Sequence, residues 1–306
     1  MCGQVTMAVQ PGRSLPVCLM VYAGVLACVL CPLYCLYVLV SGADVWLPTA
    51  IFFIYWFIAR WDATSFYLRY LFVAALFLIV YLRWGVKDTS ICVLAFAATL
   101  FVFALTLGRA PRKIPRIEVS FPLVAGTCYV AHGGNSLLLN RHSSVRSQRY
   151  ALDIVKLNRC GARAAGLYPA DCQRYSIYGE EVCSPCNGEV TKVVNDIPDL
   201  PPSRVDRTRL AGNHVIIRMQ DEMYICLAHL MCGSVTARVG HQVTTGQILG
   251  RVGNSGHTTE PHLHIHAKKG GNPNSGLDGE GVPICFAGKW LVRNSLFRSP
   301  RRLTIA

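Results

Sequence analysis

Three histidines at alternate positions, His262, His264 and His266, are the residues of this chain best suited to chemistry. They follow Glu260 and Pro261 in an apolar, strand-like run, and side chains two residues apart in a strand share one face, roughly 6.6 Å apart. One imidazole of such a set can bind a metal while its neighbour acts on a substrate. Plain surface histidines on an edge strand have the same spacing, so other residues must decide.

Two further polar residues interrupt apolar runs elsewhere in the chain. Asp153 lies within residues 148–155, and an unpaired carboxylate in a buried strand is costly, which predicts a charge partner or a metal beside it. His229 closes the apolar run 224–230, where a half-buried core histidine is the alternative interpretation. Together with His262 and His264, these residues would supply metal ligands and acid-base groups from three strands.

The order of motifs resembles one known family. The turn 184–190, the segment 211–217 and the stretch 239–256 lead into residues 261–264, and over most of residues 121–306 the chain resembles the lysostaphin-type (LytM-like) zinc metallopeptidases, which cut peptide bonds of bacterial peptidoglycan. The resemblance implies that Asp153 and His264 are zinc ligands. It also implies that His229 and His262 are the catalytic pair that orients water and stabilises the transition state.

The chain departs from the family pattern at the first ligand. The pattern has a histidine four residues before the aspartate, where this chain has Arg149, and a guanidinium has no lone pair for a metal. His142 is the nearest upstream candidate, in an Asn-x-His element like that of some relatives, and a surface loop histidine is the alternative. If the loop folds back, His142, Asp153 and His264 form the three-ligand set of a catalytic zinc with an open position.

These residues lead to two hypotheses of function. The first is a membrane-anchored zinc metalloendopeptidase, with one Zn²⁺ per chain, that hydrolyses peptidoglycan stem or cross-bridge peptides in cell wall remodelling or lysis. The second is a degenerate relative that binds the wall or regulates another hydrolase. Arg149 favours the second hypothesis, and the four retained groups favour the first. His214, His257 and His266 are interpreted as structural or solvent-exposed.

The N-terminal third differs in composition. Apolar stretches at about 15–40, 45–59, 66–82 and 91–107 approach or exceed the roughly 20 residues needed to cross a bilayer. They predict an α-helical membrane bundle of about four helices over residues 1–108. A basic, Pro-containing linker follows at 109–120, and a mainly antiparallel β domain of the LytM-like (duplicated hybrid motif) type occupies 121–306.

The membrane prediction conflicts with the predicted substrate. With four crossings, most basic flanking residues lie on the side of the β domain, which the positive-inside tendency assigns to the cytoplasm. Peptidoglycan cross-links lie outside the inner membrane. We therefore expect a multi-pass inner-membrane protein whose catalytic domain is extracytoplasmic, which an odd number of crossings would allow.

The net charge and the cysteine content limit the possible binding partners and the cellular compartment of the protein. The net charge of +13 favours anionic partners, and because no segment resembles a nucleic-acid-binding module, the cell wall and the lipid bilayer are the expected ones. The 14 cysteines leave open a Cys183–Cys186 metal half-site or redox pair. Disulfides pairing Cys160 with Cys172 or Cys226 with Cys232 are compatible with an extracytoplasmic domain.

Overall fold

The computed structural model describes residues 114–137 and 139–299, and the regular secondary structure of this part of the chain consists of β-strands and two short 3-10 helices. The predicted membrane bundle at residues 1–108 lies outside the described residues. Within the described ranges, no helix is long and apolar enough to span a membrane. The strands are β1 Ile117–Glu118, β2 Gly126–His132, β3 Leu152–Leu157, β4 Glu181–Cys183, β5 Gly188–Val194, β6 Asn213–Arg218, β7 Met223–Leu230, β8 Gln242–Val243, β9 Ile248–Arg251, β10 Leu263–Lys269, β11 Glu280–Val282, β12 Ile284–Phe286, β13 Lys289–Trp290 and β14 Leu296–Ser299. Two short 3-10 helices, Arg141–Ser144 and Cys172–Arg174, interrupt the loops.

A nine-stranded sheet forms the centre of the described domain. Its order is β14-β2-β3-β10-β7-β6-β5-β8, with β11 also pairing with β10. Its neighbouring strands run antiparallel, which confirms the prediction of a mainly antiparallel β domain. Small sheets β1-β12-β13 and β4-β9 complete the architecture. Because β1 pairs with β12, residues 117–118 belong to a sheet, although they lie inside the segment 109–120 predicted as linker.

The alternation of β10 separates its apolar side chains from its histidines. Leu263, Ile265 and Ala267 are buried in the main apolar core, where each large aliphatic side chain contributes about 1.5–3 kcal/mol. His264 and His266 therefore point to the opposite face. The same alternation on β3 sends Leu152 and Ile154 into that core and Asp153 to the histidine face.

A β-bulge at the end of β7 changes the direction of one functional side chain. Ile225 and Leu227 face the main core, so regular alternation would send His229 there as well. Instead, the register shifts by one residue beside Asn213, and His229 adopts a left-handed conformation with φ 62°. Leu230 then takes the next place in the core, and the His229 ring lies 4.7 Å from that of His262.

Hydrogen bonds from two neighbouring segments fix this bulge. The Leu230 carbonyl accepts from the Ser255 hydroxyl at 2.7 Å and from the Asn213 amide at 3.1 Å. Gly212 has φ +58°, and a Cβ at this position would lie 2.1 Å from the Ser255 carbonyl oxygen. Glycine is therefore required for the close approach that brings residue 255 against the bulge.

Candidate metal centre

Three side chains from separate elements converge on one face of the sheet. Asp153 of β3 and His264 of β10 are directly opposed in the strand register, and His264 Nδ1 lies 2.8 Å from Asp153 Oδ1. His142 Nε2, from the 3-10 helix, lies 3.1 and 3.0 Å from the two carboxylate oxygens. One donor atom from each of the three residues lies within 4.8 Å of the other two.

Asn140 fixes the turn that carries His142. Its side chain is fully buried and accepts from the His142 backbone N–H at 3.0 Å. The two N–H groups of the same amide are shared among the carbonyl oxygens of Gly134, Arg149 and Ala151, which lie 3.0 to 3.2 Å from its nitrogen. One polar side chain thereby holds the loop at both ends and leaves the His142 ring beside Asp153.

Arg149, the residue at the expected first-ligand position, is exposed. The loop fold that was predicted as one of two alternatives for His142 is present: its side chain is 16% exposed and contacts Asp153. The described structure therefore brings together all three residues predicted as ligands, and their role in binding metal remains a prediction.

Asp153 is the electrostatic centre of this cluster. Its side chain is 3% exposed, and Arg141 Nη2 also approaches its Oδ2 at 3.3 Å. Burial alone would raise the pKa of Asp153, but the adjacent His142 and His262 hold that pKa well below its usual value. The group is therefore an ionised carboxylate at neutral pH, which is the state that binds a metal.

His229 and His262 lie beside these three residues with one ring nitrogen each tied to the backbone. His229 Nδ1 donates to the Ser255 carbonyl at 2.9 Å. His262 Nδ1 donates to the Glu260 carbonyl at 2.9 Å, and that carbonyl also accepts from the Thr258 hydroxyl. In the neutral form of either ring, the Nε2 atom carries a lone pair.

The Nε2 atom of His262 is a buried polar atom aimed into the site. It makes no hydrogen bond within the described residues and lies 3.6 Å from Asp153 Oδ1. Burial, reinforced by His262 and His264, lowers the pKa of His229 well below its usual value. His229 is therefore a neutral imidazole at neutral pH, and the Nε2 atom of this ring can accept a proton.

The donor set fits a zinc ion. Two imidazole nitrogens and one carboxylate are the ligands of many catalytic zinc sites, which leave a position open for water or substrate. Two lone-pair atoms, His264 Nδ1 and Asp153 Oδ1, are held at 2.8 Å, so a proton or a metal ion must lie between them.

Several residues around the site were not predicted. Asn140 had a sequence signal, because asparagine favours turns and stands two residues before a candidate ligand. Arg163 and Glu260, 97 residues apart, form a buried ion pair at 2.7 Å that holds the loop before His262. No spacing rule could have paired them. His132 lies opposite Asp153 in the register of β2 and β3, with its ring 6.4 Å from that of His142.

The remaining histidines and cysteines correct parts of the sequence interpretation. His257 is exposed and His214 half-buried, whereas His266 is 2% exposed, so the exposed alternative is wrong for His266. Cys172 and Cys226 are free thiols in the described part of the chain, so neither suggested disulfide is formed there. Burial raises the pKa of Cys186 to about 11, so this thiol is protonated at neutral pH.

Comparison with known proteins shows that one segment of the chain is similar to a protein family. Residues 174–275 match the model of peptidase family M23. Among solved structures, lysostaphin from Staphylococcus simulans is 18% identical, with 50% of this chain and 45% of that chain covered and a TM-score of 0.30. A zinc-containing peptidase from Vibrio cholerae is 20% identical, with 38% and 46% covered and a TM-score of 0.24.

A third solved structure is the catalytic domain of a variant of the prophage-encoded M23 protein EnpA from Enterococcus faecalis. It is 28% identical, with 39% of this chain and 79% of that chain covered and a TM-score of 0.24. The chain thus spans less than half the length of the lysostaphin and Vibrio cholerae proteins. His229, His262 and His264 lie within the part of this chain, residues 174–275, that is similar to peptidase family M23.

Proposed function

We propose that this chain is a zinc metalloendopeptidase that hydrolyses peptide bonds in peptidoglycan stem or cross-bridge peptides. The observation that carries the proposal is the convergence of His142, Asp153 and His264 within 4.8 Å, beside two further imidazoles. The match of residues 174–275 to peptidase family M23 supports the reaction class. The substrate class rests on the resemblance to lysostaphin-type enzymes.

In this proposal His142 Nε2, Asp153 and His264 Nδ1 hold the ion. A bound zinc lowers the proton affinity of water and polarises a carbonyl group. His229 and His262 would accept the proton of the attacking water through their Nε2 atoms and return it to the leaving amine. Their Nδ1–H bonds to the backbone fix the tautomer and the ring orientation for that transfer.

His142 bears on the choice between the two hypotheses. Arg149 was the residue that favoured a degenerate wall-binding or regulatory domain, because it removes the usual first ligand. An imidazole beside Asp153, held by the buried Asn140, supplies that missing donor from another position. A domain without chemistry has no need for this replacement, so the contact supports the enzyme.

We also propose that residues 1–108 anchor the chain in the inner membrane as a multi-pass bundle, with the β domain on the extracytoplasmic side. The support is the four apolar stretches and the location of the proposed substrate. Protease treatment of intact spheroplasts tests the orientation. Digestion of the β domain is expected, and protection until the membrane is opened would contradict the proposal.

The test of the proposed function combines metal analysis with digestion of purified peptidoglycan by the full-length chain. We expect about one zinc per chain and the release of peptides with new amino termini, detected by mass spectrometry. The variant His264→Ala should lose both properties, whereas His257→Ala, which changes an exposed histidine, should keep them. Zinc binding and peptidoglycan binding without cleavage would favour the regulatory alternative, and no zinc under metal-replete conditions would exclude the hydrolase.

A further inference from the structure

His266 is a buried imidazole that the proposed mechanism does not use. It lies on β10 two residues after His264, and both side chains are almost completely buried. Its Nδ1 lies 3.0 Å from His264 Nε2, and its Nε2 lies 2.9 Å from the carbonyl oxygen of Gly276. Asp153, His264, His266 and Gly276 therefore form a continuous chain of three polar contacts.

The number of protons available to these three contacts determines which atom donates and which accepts in each of them. Each of the three contacts joins two atoms that need a proton or a cation between them, and two neutral imidazoles carry only two protons. Neither the ionised Asp153 nor the Gly276 carbonyl has a proton to give. The Gly276 carbonyl can only accept, so His266 Nε2 donates to it and His266 Nδ1 is left as an acceptor.

The acceptor role of His266 Nδ1 determines which nitrogen of His264 keeps a lone pair. Because His266 Nδ1 accepts, His264 Nε2 carries the proton and donates it at 3.0 Å. His264 Nδ1 is then left with a lone pair that faces Asp153 Oδ1 at 2.8 Å, and the third cation belongs in this contact. This is the atom and the orientation that a metal shared by His264 and Asp153 requires.

We infer that His266 is a positioning residue that fixes the tautomer and the ring orientation of His264 for zinc binding. The inference rests on the proposed function and assigns a role to a residue that the motif comparison did not single out. In this role His266 acts through its hydrogen bond to His264.

The loop that carries the Gly276 carbonyl is itself held in place. The loop that follows β10 is bound to Lys268, whose side chain is 1% exposed and whose ammonium group donates to the carbonyl oxygens of Gly270 and Asn272 and to Asp278. At Gly276 itself, a Cβ would lie 3.4 Å from both Cys226 Sγ and His266 Cε1. The loop therefore packs directly against His266, which leaves the ring little freedom.

The test measures zinc affinity of the full-length chain by competition with a chromogenic chelator. His266→Phe removes both ring nitrogens, and we expect zinc binding to weaken about 10- to 100-fold. His266→Asn keeps an acceptor near the Nδ1 position and should bind zinc within about 5-fold of the unmodified chain. His214→Phe is the matched control, because His214 also bonds a backbone carbonyl, at 2.8 Å, but lies outside the site.

A second measurement needs no variant. In the zinc-loaded chain with ¹⁵N-labelled histidine, two-dimensional NMR should show His264 protonated at Nε2 and coordinated at Nδ1, and His266 protonated at Nε2. Coordination through His264 Nε2, or a proton on His266 Nδ1, would overturn the inference even if His266→Phe fails to fold. Unchanged zinc affinity in His266→Phe would overturn it while leaving the proposed function intact, whereas absence of zinc binding in the unmodified chain would refute the proposed function itself.

Discussion

Removing the imidazole of His142 tests whether this residue, rather than the residue at position 149, supplies the first zinc ligand. In the structure His142 Nε2 contacts both oxygens of Asp153, at 3.1 and 3.0 Å, whereas Arg149 is exposed. His142→Ala therefore removes one of three protein ligands and leaves the strands that carry Asp153 and His264 unchanged. The 3-10 turn should keep its shape, because Asn140 bonds the backbone N–H of residue 142 rather than the ring.

The expected loss of zinc affinity in His142→Ala can be calculated by dividing the binding free energy of a zinc site among its ligands. Four-ligand zinc sites bind with about 10–16 kcal/mol, or about 2.5–4 kcal/mol per ligand. At about 1.4 kcal/mol per factor of ten, loss of one ligand weakens binding by about two to three orders of magnitude. Part of this loss is recovered if water fills the position, so the lower end of the range is expected.

The assay is a zinc titration of the full-length chain in competition with a chelator of known affinity, together with peptidoglycan digestion. Arg149→Ala is the matched control, since it changes the residue at the family position and should leave both readouts near those of the unmodified chain. Unaltered zinc affinity in His142→Ala, with affinity lost in Arg149→Ala or only in His264→Ala, would refute the rerouted ligand.

Four further predictions address strain, pH, the buried ion pair and the loop anchor. His229→Gly and His229→Ala should both bind zinc without cleaving peptidoglycan, and in urea the glycine variant should be about 1 kcal/mol more stable, because residue 229 has φ 62°; equal midpoints would contradict this strain. Burial lowers the pKa of His264 to about 4, below the unfolded value of about 6.5, so protons bind first to the unfolded chain. The zinc-free protein should therefore lose about 1.4 kcal/mol per pH unit from this group as the pH falls from about 6.5 to 4, and a pH-independent urea midpoint there would contradict it. Glu260→Gln leaves the guanidinium of Arg163, 2% exposed, without its charge partner and should cost about 3 kcal/mol, partly restored in the double variant with Arg163→Met; an unchanged midpoint would show that the pair is dispensable. Asn140→Ala should cost about 1–3 kcal/mol in stability and weaken zinc binding, and zinc affinity equal to that of the unmodified chain would show that the loop holds without this side chain.

The sequence predicted those parts of the site that depend on strand periodicity. Alternation in β10 sends Leu263 and Ile265 to the core and His264 to the opposite face, and the same rule on β3 brings Asp153 to that face. The antiparallel pairing of these two strands then opposes Asp153 and His264 directly. Local pattern was sufficient because the core decides which face each residue takes.

Other parts of the site depend on long-range contacts that periodicity does not contain. Regular alternation would place His229 in the core, and only the bulge opposite Asn213 turns it toward His262. That bulge is held by Ser255, which is distant in sequence. The solvent-exposed alternative for His266 was wrong for a similar reason, because the Gly276 carbonyl that binds the ring belongs to the loop after the strand.

The elements that supply the ligands differ in how firmly they are held. Asp153 and His264 stand on adjacent strands of a central sheet, where a one-residue slip would send both side chains into the core, so their pairing is strongly specified. His142 stands on a short turn whose position depends on the buried Asn140. A chain that lacks a histidine at position 149 can therefore complete the site only if this loop is held in place, and the hydrogen bonds of the Asn140 side chain provide that constraint. The loop, rather than the sheet, then sets how tightly the predicted zinc is held.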